Sequence, residues 1–207
     1  MNDFGIILRG KSLDKLPLIC EHFNRCWIIN SFENLHSEIK CLKGKTIGHY
    51  CNVLETTVMP EAFYVDFNIE EVVISRFTWT RDARQARKRY QKQGIKEFSL
   101  IPQDLSRYTK QFNRKHLKHP STGVMSIIDA VERLKPKHVW ICGLDFYEVD
   151  YLYRRDLAKP IEKQRFCMEH NEIPQQVFDF IEEHPKMFFH IASYYSKFPV
   201  LPNLESI

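Results

Sequence analysis

Residues His119–Asp156 read HPSTGVMSIIDAVERLKPKHVWICGLDFYEVDYLYRRD, and the order of chemistry along them decides the fold. Pro120, Ser121, Thr122 and Gly123 supply a turn: a rigid residue, two hydroxyls suited to helix capping, and a glycine where backbone can approach a ligand. Val124, Ile127, Ile128, Val131 and Leu134 then recur at helical spacing, so one face packs on a sheet. Pro136 stops the helix. HVWIC, His138–Cys142, is a short β-rich run, and Gly143 ends it.

The loop after that strand is dense in side chains with chemistry: Asp145, Phe146, Tyr147, Tyr151, Tyr153 and Asp156. In open α/β sheets, ligands bind outside the carboxyl ends of the strands, which is where this loop must lie. The helix start at Ser121–Thr122–Gly123 offers backbone N–H groups and the positive end of a dipole, a seat for an anion. A helix cap followed by an ordinary surface loop accounts for this segment equally well when it is taken alone.

Outward from this unit the same alternation continues. FGIIL (Phe4–Leu8) reads as the first strand, Arg9–Gly10–Lys11–Ser12 as its turn, and a helix follows to about Phe23. CWIIN (Cys26–Asn30) and Thr46–Cys51 are further strands, ending in the carboxamides Asn30 and Asn52 at the binding edge. AFYVDF and VVIS, within residues 62–75, are two more β-rich runs. Helical patterns span Arg81 to about Gln93, Gln103–Phe112 and Pro174–Glu183, and strands are expected at Lys96–Ile101 and Met187–Ile191. The expectation is a single α/β domain over residues 1–207, Rossmann-like, with a mainly parallel sheet flanked by helices. A lid-like segment of weak periodicity covers about 148–173.

Composition narrows the class. With 43% apolar and 27% charged residues the chain reads as an ordinary soluble globular protein. No apolar run reaches the length of a membrane span, and the N-terminus does not resemble a secretory signal. The six cysteines form no CxxC pair, and no Cys/His cluster has ligand spacing, so a reduced, cytoplasmic setting and no metal are expected. Gly5 through Gly10–Lys11–Ser12 matches the phosphate-loop pattern literally. The intervening IILR is strand core, not a loop that could cradle phosphates, so the match is rejected. From Arg81 to Lys118 there are twelve Lys or Arg against three Asp or Glu. This block reads as a solvated face or as a surface for an anionic glycolipid, membrane or nucleic acid. His170 stands in a polar stretch, MEHNEIPQQ, and an imidazole near the active edge would suit general-base work at neutral pH.

Together these residues resemble the small bacterial sialyltransferases that use CMP-sialic acid and act on lipooligosaccharide. GIILRGKSL is similar to that family's first strand and glycine turn, and CWIINSF to its second strand ending in a nucleotide-side asparagine. STGVMSIIDA with GLDFY and a tyrosine six residues later is the most specific match. EHNEIPQQVFDFIEE resembles the histidine-bearing loop and its helix.

The resemblance implies transfer of sialic acid, or a related sugar such as Kdo, from a CMP-activated donor to a glycan or glycolipid hydroxyl. The displacement would be inverting and metal-independent, with no cofactor. It assigns Asn30 and Asn52 to the CMP side, and Thr122 and Gly123, with Ser121, to nucleotide and donor. Gly10, Asp145 and Phe146 fall in its binding segments, Tyr147 and Tyr153 would stabilise the departing phosphate, and His170 would be the general base. No DxD pair occurs in the chain. In two places the chain departs from the family pattern. Arg9–Gly10–Lys11 stands where the family has asparagine between two glycines, and His119 or Lys118 where it has a basic residue before Ser/Thr–Gly. Peripheral membrane association and oligomerisation are left open. The competing expectation is a catalytically inactive Rossmann-like protein that binds nucleic acid or an anionic surface through residues 81–118.

Overall fold

The structure, a computed structural model, describes residues 3–32, 35–53, 58–116, 120–146 and 172–207. The strands are β1 (Asp3–Ile7), β2 (Arg25–Ile29), β3 (Thr46–Cys51), β4 (Glu71–Ile74), β5 (Glu97–Leu100), β6 (His138–Cys142), β7 (Phe188–Ala192) and β8 (Leu204–Ser206). The helices are α1 (Leu16–Ile19), α2 (Glu61–Asp66), α3 (Arg81–Gln91), α4 (Ser106–His116), α5 (Thr122–Asp129) and α6 (Ile173–Glu182). Among the described residues, these eight strands form one parallel sheet in the order β5-β4-β3-β2-β1-β6-β7-β8.

Parallel strands covered on both faces read as continuous apolar runs, and the alternation shows which side chain goes where. In β2, Trp27 and Ile29 join one core with α4, α5 and α6, while Cys26 and Ile28 join the other with α1, α2 and α3. The strand order reverses at β1: the chain leaves to β2 on one side and returns through β6 on the other. The crevice at the carboxyl ends of these strands is where such sheets bind ligands. Among the described residues no helix is long and apolar enough to cross a membrane.

Three elements differ from the sequence reading. AFYVDF is not a strand but lies almost wholly in α2. Phe63, Tyr64 and Phe67 are buried while Val65 is 70% exposed, which is the stripe of a helix and not the alternation of a strand. The expected helix after Arg9 is broken into 3₁₀ turns around the four-residue α1, with Pro17 in its first turn. The helix expected to run to Leu134 loosens after Asp129 into a wider π turn. Lys135, which precedes Pro136 and is barred from the right-handed helix, takes φ 47° and closes it by donating to the Val131 carbonyl. The lid-like segment lies outside the described residues except for its end, where Ile173 opens α6.

Asp129, at the end of α5, is fully buried with Arg133 3.0 Å away. Burial raises its carboxyl from the ordinary 3.8 to about 6, against the opposing pull of Arg133. A raised folded-state pKa means that the proton stabilises the fold: the gain is complete below about pH 4 and is lost as pH rises through about 6. Two units correspond to about 3 kcal/mol. Urea midpoints of wild type and Asp129→Asn, compared from pH 4 to 7.5, are expected to diverge by up to that amount, wild type losing ground as pH rises. Parallel curves would show that Asp129 does not titrate in this window.

Candidate active site

The carboxyl ends of β1 and β6 are joined beyond the strands themselves. Leu8 N–H donates to the Cys142 carbonyl and Gly10 N–H to the Gly143 carbonyl, each at 2.8 Å. Gly143 sits at φ 77°, and a Cβ there would collide with the Leu8 carbonyl. A Cβ on Gly10 would collide with the Asp145 carboxylate and the Gly143 carbonyl. The chain can cross here only as glycine over glycine.

Asp145 fastens this crossing to the rest of the edge. It is 4% exposed; its Oδ2 accepts from Ser12 N–H at 2.8 Å and its Oδ1 from Tyr194 N–H at 3.0 Å. The Ser193 hydroxyl lies 2.9 Å from the same Oδ1. Lys15 Nζ adds a tie from the first turn to the carbonyls of Ser193 and Ile207, at 2.8 and 2.7 Å. The ends of β1, β6 and β7 are therefore held as one rigid floor.

Above that floor lies a cavity of about 330 Å³ lined by Leu8, Arg9, Ile29, Asn30, Asn52, Ser121, Thr122, Gly123, Gly143, Leu144, Asp145, Phe146 and Ile173. On one wall, Ser121 caps α5 by accepting from Val124 N–H at 3.3 Å. The first-turn N–H groups of Thr122 and Gly123, which no intrahelical bond uses, belong to lining residues. On the facing wall Asn30 sits at φ 65°, a left-handed conformation that asparagine tolerates better than most residues. Its N–H donates to the Tyr50 carbonyl at 2.8 Å, and its Oδ1 accepts from Asn52 N–H at 3.3 Å. Arg9 contributes a cation to this wall, with Nη1 3.4 Å from the Ser31 carbonyl.

The structure thus brings Asn30, Asn52, Ser121, Thr122, Gly123, Asp145 and Phe146 to one cavity. Gly10 is not among the lining residues and acts by close packing beneath them. Asp145 reaches the cavity, but its carboxylate is bound to protein donors, which makes it a tie within the edge and not a free polar group. Phe146, at φ 49°, packs its ring against Phe178, Tyr195 and Phe198, closing the cavity with an aromatic cluster. Tyr147, Tyr153 and His170 lie outside the described residues. Leu8, Ile29 and Ile173, apolar liners, carry no signal in sequence that separates them from core.

The basic segment 81–118 has many of its cations engaged by the protein itself. Arg84 donates to the Trp79 carbonyl, Arg89 to that of Val53, and Arg87 lies over the Trp79 and Phe98 rings. Arg107 pairs with Glu132 at 3.1 Å.

No family model and no curated protein matches the chain. Solved structures do share its fold. The monofunctional α-2,3-sialyltransferase Cst-I from Campylobacter jejuni superposes with a TM-score of 0.60 at 16% identity, over 93% of this chain and 76% of that one. Sialyltransferase CstII from the same organism, in complex with the substrate analogue CMP-3FNeuAc, gives 0.54 at 16% identity, over 99% and 87%. A complex of CstII with a trisaccharide acceptor and CMP gives 0.59 at 15% identity, over 92% and 80%. The chain shares its overall α/β fold with these structures.

Proposed function

We propose that the chain is a CMP-sugar-dependent glycosyltransferase of the sialyltransferase type, moving sialic acid or a related sugar to a glycan hydroxyl. The observation that carries this reading is the cavity at the β1–β6 switch point. It brings two carboxamides, Asn30 and Asn52, together with the first turn of α5 and Arg9 around one space. Carboxamides donate and accept, which suits the edge of a cytosine or a ribose. Helix-terminal N–H groups and a guanidinium suit a phosphodiester. The fold is one whose solved examples hold CMP.

In the proposed reaction the acceptor hydroxyl attacks the anomeric carbon as the bond from that carbon to the CMP phosphate oxygen breaks. The acceptor proton goes to a base, CMP leaves with the bonding electrons, and a single displacement inverts the centre. Negative charge grows on the departing phosphate. Tyr147 and Tyr153 are proposed as its O–H donors, and His170 as the base. With hydroxyl donors supplying that stabilisation, the step needs no metal.

Incubation with CMP-sialic acid, with and without lactose, is expected to release CMP faster when the acceptor is present, and EDTA is expected to leave the rate unchanged. Release no faster than that of the donor in buffer would overturn the assignment. Abolition by EDTA with recovery on Mg²⁺ would overturn the metal-independent course alone. Running CMP-Kdo beside CMP-sialic acid decides the donor. Tyr147→Phe and Tyr153→Phe should each lower turnover by about 10²-fold while leaving the affinity for donor nearly intact, because the hydroxyl acts on charge that develops in the transition state. Unchanged turnover in both would reduce them to packing residues.

A further inference from the structure

Beneath the asparagine wall of the cavity lies a histidine that the proposed reaction does not use. His49, in β3, is fully buried. Its Nε2 is 2.7 Å from the Asn30 carbonyl oxygen and its Nδ1 3.3 Å from the Tyr64 hydroxyl. A carbonyl can only accept, so Nε2 carries the ring proton, and in the neutral ring Nδ1 must then accept. The Tyr64 hydroxyl therefore donates to Nδ1, while accepting from Met59 N–H at 3.1 Å. The relay has one consistent direction: Met59 N–H to Tyr64, Tyr64 to His49, His49 to Asn30. Burial, aided by the charge of Arg9, pushes the imidazole down to about 3 against the opposing effect of its hydrogen bond to the Asn30 carbonyl, so the ring stays neutral across the physiological range. Tyr90 meets the ring edge-to-face, its centroid 5.5 Å away, and fixes its plane.

The end of this relay is the residue with the unusual backbone. Asn30 is left-handed, and its carbonyl takes the His49 Nε2–H as its donor. We propose that His49 is a positioning residue: by donating from Nε2 to the Asn30 carbonyl it holds Asn30 in its left-handed conformation and sets the Asn30 carboxamide, with the Asn52 amide bound to it, for the ligand of the cavity. The Asn30 side chain is the working group, and His49 acts only through it. As far as the ligand is CMP, this rests on the function proposed above; the hydrogen-bond relay does not.

Two measurements test it. In ¹⁵N spectra the His49 ring should show a protonated Nε2, a bare Nδ1 and no titration between pH 5 and 8. A ring protonated at Nδ1, or one that titrates in that window, would overturn the proposal. For affinity, His49→Phe removes both ring hydrogen bonds at similar volume, while His49→Gln can return an N–H donor near the place of Nε2. CMP dissociation constants should rise at least about tenfold in His49→Phe and stay within about threefold of wild type in His49→Gln. Should His49→Phe fail to fold, Tyr64→Phe, which removes only the donor to Nδ1, should weaken CMP binding by about threefold. A folded His49→Phe that binds CMP as wild type does overturns the proposal. If wild type itself does not bind CMP, the CMP assignment falls. The relay is then judged on the Asn30 and Asn52 amide signals, which should move in His49→Phe and be restored in His49→Gln; signals unmoved in both would overturn it.

Discussion

Asp145→Ala is expected to cost about 3–5 kcal/mol of folding stability, a large share of what a domain of this size has. The carboxylate is the acceptor for two backbone N–H groups, from Ser12 and Tyr194, that come from elements far apart in sequence. Hydrogen bonds to a charged acceptor contribute about 1.5–3 kcal/mol each, and alanine leaves both donors in a site only 4% exposed. Asp145→Asn should recover part of the loss, since its carbonyl can accept one bond while its amide opposes a donor. Urea unfolding followed by tryptophan fluorescence reads the change. A loss below about 1 kcal/mol with abolished CMP binding would instead make Asp145 a ligand contact, the role that its place in the GLDFY segment suggests from sequence.

His170→Ala is expected to keep CMP affinity and to lower transfer by about 10²–10⁴-fold, the range for removing a general base. An imidazole base must be neutral to accept the acceptor proton, so the wild-type rate should fall as pH drops below about 6.5. The residual rate of His170→Ala should lack that acid limb. Equal rates and profiles for the two proteins would remove His170 from the mechanism. Among the described residues no histidine lines the cavity. His49 is buried and held neutral with both ring nitrogens occupied. His184 bonds the Phe180 carbonyl and lies near Glu132. His190 stacks on Trp140 and bonds Glu205.

Much of the sheet was legible because parallel strands buried on both faces leave a plain signature. FGII, CWII, HVWIC and the stretch before Asn52 are short apolar runs closed by glycine or a carboxamide, and each is a strand. AFYVDF was not legible as a helix, because six residues rich in aromatics satisfy a β pattern until burial is known. Pro60 before it and the pairing of Phe63, Tyr64 and Phe67 were the available signals. β8 left none: three residues, Leu204–Ser206, at the sheet edge carry too little pattern.

At the site, Asn30, Asn52 and the Ser121–Gly123 turn could be placed because each stands at a strand end or a helix start, where topology alone brings residues together. The parts that depend on long-range packing could not. That Gly10 packs on Gly143, that Asp145 answers Ser12 and Tyr194, and that His49 answers Asn30 are contacts between segments whose pairing only the folded sheet supplies. His49 reads in sequence as one polar interruption of a strand, with nothing to mark its partner.

CMP should bind between the asparagine wall and the first turn of α5, and titrating CMP into ¹⁵N-labelled protein reads this. Saturable binding is expected to shift the amides of Asn30, Asn52, Thr122 and Gly123, and to weaken at least about tenfold in Asn52→Ala. Shifts confined to the basic helices α3 and α4, or no saturation at millimolar CMP, would contradict it.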